Sequence, residues 1–492
     1  MENRVISQIS RWCWLLLVLT LPITSQPLVA KYVRTGSVAP VAGVFLAILF
    51  IIWFVPFIFH KGKLPGQTIP FLFFILWAFI ITAASVFREN PPYKDISVFA
   101  SIVKSLLTLL IGMTFYLVIA TYVRSERLIR ITLQLVNWSG LFIIVWSLSQ
   151  VAVTYIYGDY LRWMDVFQSF ISTGVLVKGR ASGFTLEPSW LAHQLNMLYL
   201  PLWLSCAFLR YSAHSFRIWK LHFEDLLLIL GAVTLMASFS RVGLVAFMMM
   251  LALIFLLINV KVIRYIESRV FHPDQQKFRQ KKILLRVVLI ILLLVAYLGI
   301  ALLVAQVFIE LDPRMETLFT FSPDKTDPIL RYANSLKFGE RLIYWLAAWK
   351  IFGNFPWTGV GLGLAGFQIP LSIVPYGWSL TEVKSLLFHT GNLLNIKSIW
   401  FRLLAETGII GFSLFISWLF VIFTTSLNQY LLHGRLYKVV GMTGILVLIG
   451  FLIEGFSVDS FALPYLWFSA GMVTAASTIM INIRTSHNKN ES

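Results

Sequence analysis

Arg241 stands between two apolar runs, in Ser238-Phe239-Ser240-Arg241-Val242-Gly243, with almost no loop around it. A guanidinium there must lie at a membrane interface or in a cavity, because an unpaired cation buried among apolar groups is costly and usually marks a pathway or a site. Arg341 opens a second such place, Glu340 to Lys350, with Trp345 and Trp349 behind it. A third runs from Lys178 to Trp190 and holds Arg180, two glycines, Glu187 and Pro188. The fourth, from His389 to Glu406, holds Asn392, Asn395, Lys397 and Arg402. Arginine binds phosphate through a planar fork and keeps its charge. One such pair near 4 Å is worth about 4 kcal/mol at an effective dielectric near 20, before desolvation. Two or three together suit a pyrophosphate held at a membrane surface.

Each place also has a plainer reading: a solvated loop at 178–190, an arginine reaching lipid headgroups at 241, and a ligand-free surface helix at 340–350. A lone outward His389 is more often a surface residue than a base, and Glu406 has nearby arginines to pair with. Between these places, Pro356 through Gly363 supplies a glycine-rich turn that matches neither a phosphate-binding loop nor a dinucleotide fingerprint. No D-x-D, H-E-x-x-H, G-x-S-x-G or Cys/His cluster occurs, so metal-assisted chemistry and serine hydrolysis gain no support and no cofactor is expected.

The elements that must position these groups are membrane helices. The 492 residues are 58% hydrophobic and 13% charged, against about 25% charged in ordinary soluble chains. In lipid every backbone polar group must be satisfied within its own segment, so the expected fold is an all-α polytopic membrane protein. Aromatic belts suit the 41 Phe and 17 Trp. A net charge of +18 is better explained by membrane orientation and an anionic ligand than by nucleic acid, since most cations lie in short loops. Cys13 and Cys206 fall in apolar runs and read as packing residues.

Spans of roughly 20 apolar residues are expected near 12–30, 38–59, 68–87, 96–122, 128–155, 188–209, 223–239, 242–260, 283–309, 399–428, 437–455 and 461–482. The first resembles a signal peptide but has Leu28 at the −3 position of its best cleavage site, so an uncleaved span is expected. The organisation read from this is helices over 1–309, a large outer (periplasmic) loop with short interfacial helices over 310–398, and helices with a cytoplasmic tail over 399–492. With both termini cytoplasmic, short inner loops hold Arg124, Arg127, Arg130, Arg210, Arg217, Lys220, Arg435 and Lys438, as the positive-inside tendency requires. The basic stretch Lys261 to Lys282 then lies inside, near anionic headgroups. Arg341, Trp345, Ala348 and Trp349 share one helical face, which suggests a helix lying flat at the outer interface.

Taken in order, these pieces resemble the O-antigen polymerase and O-antigen ligase superfamily (Wzy-like, GT-C type membrane glycosyltransferases). The resemblance rests on Arg341 with Trp345, then Pro356, Gly359-Val360-Gly361, Gly363 and Phe367, then Leu404, Glu406, Gly408 and Gly411. Ser240-Arg241 with Gly243 is similar to the family's shorter serine-arginine motif, and Arg180, Gly183 and Glu187-Pro188-Ser189 to a further outer segment. The resemblance implies a metal-independent, inverting transfer of a glycan from undecaprenyl pyrophosphate to a sugar hydroxyl. Arg241 and Arg341 would stabilise the departing pyrophosphate, with Arg180 added; Glu187, Arg402 and Trp345 would help bind substrate.

The chain departs from the ligase pattern at Lys397-Ser398, where ligases carry histidine then asparagine. That favours a polymerase of O-antigen, capsule or exopolysaccharide in a bacterial inner membrane, and leaves the base unassigned among Lys397, His389, Glu187, Glu406 and the arrangement of the substrate itself. Expected partners are the undecaprenyl-pyrophosphate-linked oligosaccharide, membrane lipids and a chain-length regulator. The alternatives are a ligase to lipid A core or protein, a lipid-linked oligosaccharide flippase or other transporter, and a non-catalytic assembly scaffold.

Overall fold

The computed structural model describes residues 4–33, 38–270, 338–432 and 434–491, with 285–289, 291–292, 295, 297, 299, 302, 306 and 332–334 between them. Most of the expected span at 283–309, the outer loop from 310 to 337 except 332–334, and the basic stretch 271–282 lie outside the described residues.

The architecture is all-α. Among the described residues the helices are α1 (Arg4–Thr20), α2 (Pro27–Val33), α3 (Val41–Phe59), α4 (Gly66–Ser85), α5 (Val98–Tyr122), α6 (Glu126–Tyr157), α7 (Arg162–Ile171), α8 (188–209), α9 (Phe223–Ala237), α10 (Arg241–Val270), α11 (Gly339–Asn354), α12 (Ala365–Ser372), α13 (381–389), α14 (Ile399–Leu432), α15 (Arg435–Glu454) and α16 (Pro464–Glu491). One short hairpin pairs β1 (Arg217–Ile218) with β2 (Leu221–His222).

Eight of these helices are long and apolar enough to cross a membrane: α3 to α6, α10, and α14 to α16. They coincide with eight of the expected spans. The other described expectations differ for physical reasons. Helix α1 begins at Arg4 and stops at Thr20, because Pro22 and Pro27 cannot continue it, so 12–30 is two helices rather than one. Helix α9 has only 15 residues. Helix α8 has the expected bounds, 188–209, but carries His193, Gln194 and Asn196, which lower its hydropathy, and every residue from 191 to 206 is buried against protein.

The described residues form two compact units. The first comprises 1–248, 348–372 and 391–492. Within it α14 packs on α15 and α4, α16 on α5, α1 on α3, and α8 on α15 and α9. Its centre is an aromatic cluster, in which Trp418 lies 4.7 Å from Phe71 and 5.4 Å from Trp467, ring centre to ring centre. Such pairs add about 0.5–1.5 kcal/mol each beyond area burial. Cys13 and Cys206 are buried and free.

The second unit comprises 249–347 and 373–390. In it Arg286 pairs with Glu267 at 2.7 Å and Tyr297 donates to Asn259. The face of α11 that packs inward is Ile343, Tyr344 and Ala347, continued by Ala348 and Ile351. It is not the Arg341–Trp345–Trp349 face expected from spacing; Arg341 and Trp345 are half-buried and Trp349 is exposed.

Candidate functional site

Arg241 is the first residue of α10, and Phe239 before it takes a left-handed φ of 50° to turn the chain from α9 into α10. Ser240 caps the new helix, its hydroxyl accepting from the Gly243 amide at 3.3 Å. Arg180 holds this turn from outside. Its Nε and Nη2 donate to the Ser238 carbonyl at 3.0 and 2.9 Å, and Nη2 reaches the Phe239 carbonyl at 3.4 Å. Next to it the Ala181 amide donates to the Ala237 carbonyl. The fork thus satisfies carbonyls left open where α9 ends, and brings Arg180 onto the turn that carries Arg241. Glu187, exposed at the head of α8, accepts from the Ser189 hydroxyl.

Beneath this turn lies a polar group that the sequence reading did not single out. Asn196 sits in a π-helical turn, Leu195–Tyr199, just before Pro201; such turns re-aim side chains and recur at functional sites. Its amide donates to the Gly243 carbonyl and to the carboxylate of Glu454, which is buried. His193 lies beside the other carboxylate oxygen at 3.6 Å, beyond hydrogen-bond range. The available signal was a set of polar residues inside apolar runs.

The glycine-rich turn has a definite partner. Helix α14 breaks at Gly408, whose φ of 64° and ψ of −172° leave the helical region. The break frees backbone groups, and residues 356–363 take them up: Val360 and Gly361 amides donate to the Ala405 and Glu406 carbonyls, and the Ile409 amide to the Pro356 carbonyl. Trp77 donates to Thr407. The approach is so close that a side chain on Gly359 would meet the Glu406 carbonyl carbon at 2.4 Å, and one on Gly408 the Trp357 oxygen at 2.3 Å. Arg88, a further arginine absent from the initial candidates, donates to the Gly359 carbonyl at 3.1 Å and lies over the Phe355 ring.

One turn of α14 before the break, Arg402 donates to Glu406 at 2.9 Å; both are largely buried. Arg402 also donates to the Asp459 carbonyl at 2.6 Å and lies 4.9 Å from the centre of Phe461, and Glu406 receives the Gly363 backbone. Lys397 is half-buried with φ 56°, and its amide donates to the Asp459 carboxylate at 3.3 Å. The first unit therefore gathers Arg180 with Arg241, Arg402 with Glu406, and Lys397 beside Asp459. Arg341, Trp345 and His389 belong to the second unit, where Trp345 meets Phe338 edge-on at 5.0 Å and His389 is exposed. No cluster of three or more His, Cys, Asp or Glu suited to a metal ion occurs among the described residues.

No curated protein matches the chain. A family model described as O-Antigen ligase matches residues 226–416, a stretch that contains Arg241, Arg341, Trp345, the glycine-rich turn, His389, Lys397, Arg402 and Glu406 and leaves Arg180 and Glu187 outside. Residues 226–416 are thus similar to an O-antigen ligase domain, which supports the O-antigen ligase and polymerase superfamily for this multi-pass membrane chain.

Proposed function

We propose that the protein is a polysaccharide polymerase of the bacterial inner membrane, which transfers a glycan from undecaprenyl pyrophosphate to a sugar hydroxyl of another lipid-linked repeat unit on the outer side. The observation that supports it most is the Arg180 fork on the Ser238 and Phe239 carbonyls. It fixes a turn whose next residues are Arg241 and the amino end of a 30-residue helix, an arrangement suited to an anion.

In the proposed reaction the acceptor oxygen forms a bond to the anomeric carbon as the bond from that carbon to the pyrophosphate oxygen breaks. The electron pair leaves with the pyrophosphate, and fixed cations near it favour the transition state over the ground state. Arg241 and Arg341 take this role, and Arg180 positions the turn. The acceptor proton must go to a base. Glu406 is poorly suited because Arg402 occupies its carboxylate. Glu187 and His389 are exposed, and Glu187 shares its segment with Arg180, so we assign the base to Glu187, with Lys397 and His389 as the variants to compare.

The name of the matched domain favours a second reading with the same chemistry, a ligase to lipid A core or protein. Purified protein given lipid-linked repeat units alone should build a ladder of chain lengths. A single transfer that requires lipid A core would establish the ligase instead, and intact donor with no product under either condition would end both readings.

A further inference from the structure

The end of the first unit opposite Arg241 carries a basin that glycan transfer does not use. Helices α6, α9 and α15 all begin there, at Glu126, Phe223 and Arg435, and α9 and α15 end beside the Arg241 turn and at Glu454. Helix α15 has 20 residues, so about 30 Å of helix at 1.5 Å per residue separates the two ends, close to the thickness of a bilayer core. The basin encloses about 520 Å³ and is lined by Arg130, Arg210, Arg217 and Arg435, with Glu126 as the one carboxylate among its described lining residues. Glu126 interacts with the Tyr437 hydroxyl.

Three features show that this is more than scattered interface charge. First, Arg210 is held at φ 50°, ψ 50° as the cap of α8, a conformation uncommon for a bulky side chain and sustained only by its surroundings. Second, the wall is built around a carboxylate that is already saturated. Buried Glu224 accepts from Asn137 at 2.8 Å, the Ser212 hydroxyl at 2.7 Å and the Ala213 amide at 2.9 Å, so its oxygens are taken up by neutral donors rather than by the arginines. Third, Gly434 gives α15 no side-chain cap, which leaves the positive end of that helix open next to Arg435.

The β1–β2 hairpin says what kind of anion fits. Its tip is Trp219, 97% exposed at φ 62°, with Lys220 beside it. A tight hairpin turn favours glycine at such a φ, and tryptophan beside a cation is the residue pair that settles at the headgroup level of a bilayer. The hairpin that supplies Arg217 is therefore suited to the lipid interface.

We propose that the Arg130–Arg210–Arg217–Arg435 basin binds the phosphate of an anionic lipid headgroup, in the leaflet opposite the Arg241 turn. The bound lipid would bridge the starts of α6 and α15 to the β1–β2 hairpin.

The test uses the full chain in nanodiscs of phosphatidylcholine alone or doped with phosphatidylglycerol, with lipid retention read by native mass spectrometry after transfer to detergent. Wild type should retain phosphatidylglycerol, and Arg435→Lys should retain it too. Arg217→Glu with Arg435→Glu should lower retention by roughly 30-fold or more, at about fivefold for each cation lost near the surface. Inorganic pyrophosphate is the soluble competitor. Saturable pyrophosphate binding that Arg217→Glu with Arg435→Glu removes, without phosphatidylglycerol retention by wild type, would overturn the headgroup assignment in favour of a soluble anion, and equal retention by wild type and the double variant would overturn the site. If the reversal variant fails to fold, Arg217→Gln with Arg435→Gln decides the question, provided its unfolding temperature in phosphatidylcholine alone equals wild type.

Discussion

Asn196 donates to Glu454 at 2.7 Å across 258 residues of sequence, and the same amide donates to the Gly243 carbonyl at 2.8 Å. One buried side chain thereby ties the start of α10 to the end of α15. A buried carboxylate needs such partners, because leaving it unpaired is far costlier than never burying it. Asn196→Leu should destabilise the protein by about 2–4 kcal/mol, by loss of one partner of a buried charge. Glu454→Gln, which keeps the shape and one acceptor, should cost clearly less. Thermal unfolding of the purified variants measures both; an Asn196→Leu protein as stable as wild type would show that the amide holds nothing in place.

In the proposed reaction Arg180 acts through the turn it grips. Lysine carries the charge but cannot reproduce a planar fork on adjacent carbonyls. Arg180→Lys should lower the rate of chain extension by about tenfold, the equivalent of one lost charge-assisted hydrogen bond of roughly 1.4 kcal/mol. Rates for Arg180→Lys and Arg180→Ala that agree with each other would support the fork; a lysine variant with wild-type rate would make charge alone sufficient.

Arg241→Ala and Arg341→Ala should each abolish the ladder, with losses on the order of 10²–10³ in rate, the range seen when one donor to a developing anion is removed. Lysine at either position should restore part of the rate. The readout is product length and initial rate from lipid-linked repeat units. Unchanged chain growth in either alanine variant would remove that residue from the mechanism.

Gly359 and Gly408 are predicted to resist any side chain. Both have positive φ, 67° and 64°, which costs an L-residue about 1–2 kcal/mol on its own. A Cβ at either would also press on backbone atoms under 3.0 Å away. Gly408→Ala should therefore lower the unfolding temperature sharply or prevent accumulation of folded protein. Gly391, whose Cβ would enter open space, is the control, and Gly391→Ala should behave as wild type. Equal stability of the two variants would contradict the close approach.

Burial holds His214 below its ordinary value of 6.5, against an opposing pull from Glu224. The unfolded chain then binds the proton more readily than the folded one, so stability rises with pH in this window. The contribution of His214 is fully present above about pH 6.5, the unfolded value, and is lost as pH falls from there through the folded value. Hydrogen-exchange protection over residues 210–224, taken relative to the intrinsic rate at each pH, should fall between neutral and mildly acidic pH, and His214→Phe should flatten that dependence. A wild-type profile already flat across this range would show that the ring does not titrate against folding.

Much of the scaffold was readable from hydropathy, because helices such as α6 and α14 carry long apolar runs whose length alone demands a span. The first span was misplaced because hydropathy averages over Pro22 and Pro27, whereas a missing backbone donor acts at a point. Arg180 and Arg241 stood out as cations beside apolar runs, and the structure brings them to one turn. Glu454 and Asn196 did not stand out, since each lies within or at the end of an apolar run and only their meeting in space gives them meaning. The glycines of 359–363 were noticed as a loop. That they answer a break in a helix placed later in the chain depends on Gly408 having a backbone angle that composition does not reveal.

The stitching of residues 356–363 into α14 has one last consequence. A segment whose amides complete another helix cannot swing open without breaking the hydrogen bonds that complete it. It is a fixed wall, and a protease added from outside should find no foothold there. In the proposed reaction, any movement that lets repeat units in and the lengthened product out would have to be made by other parts of the chain.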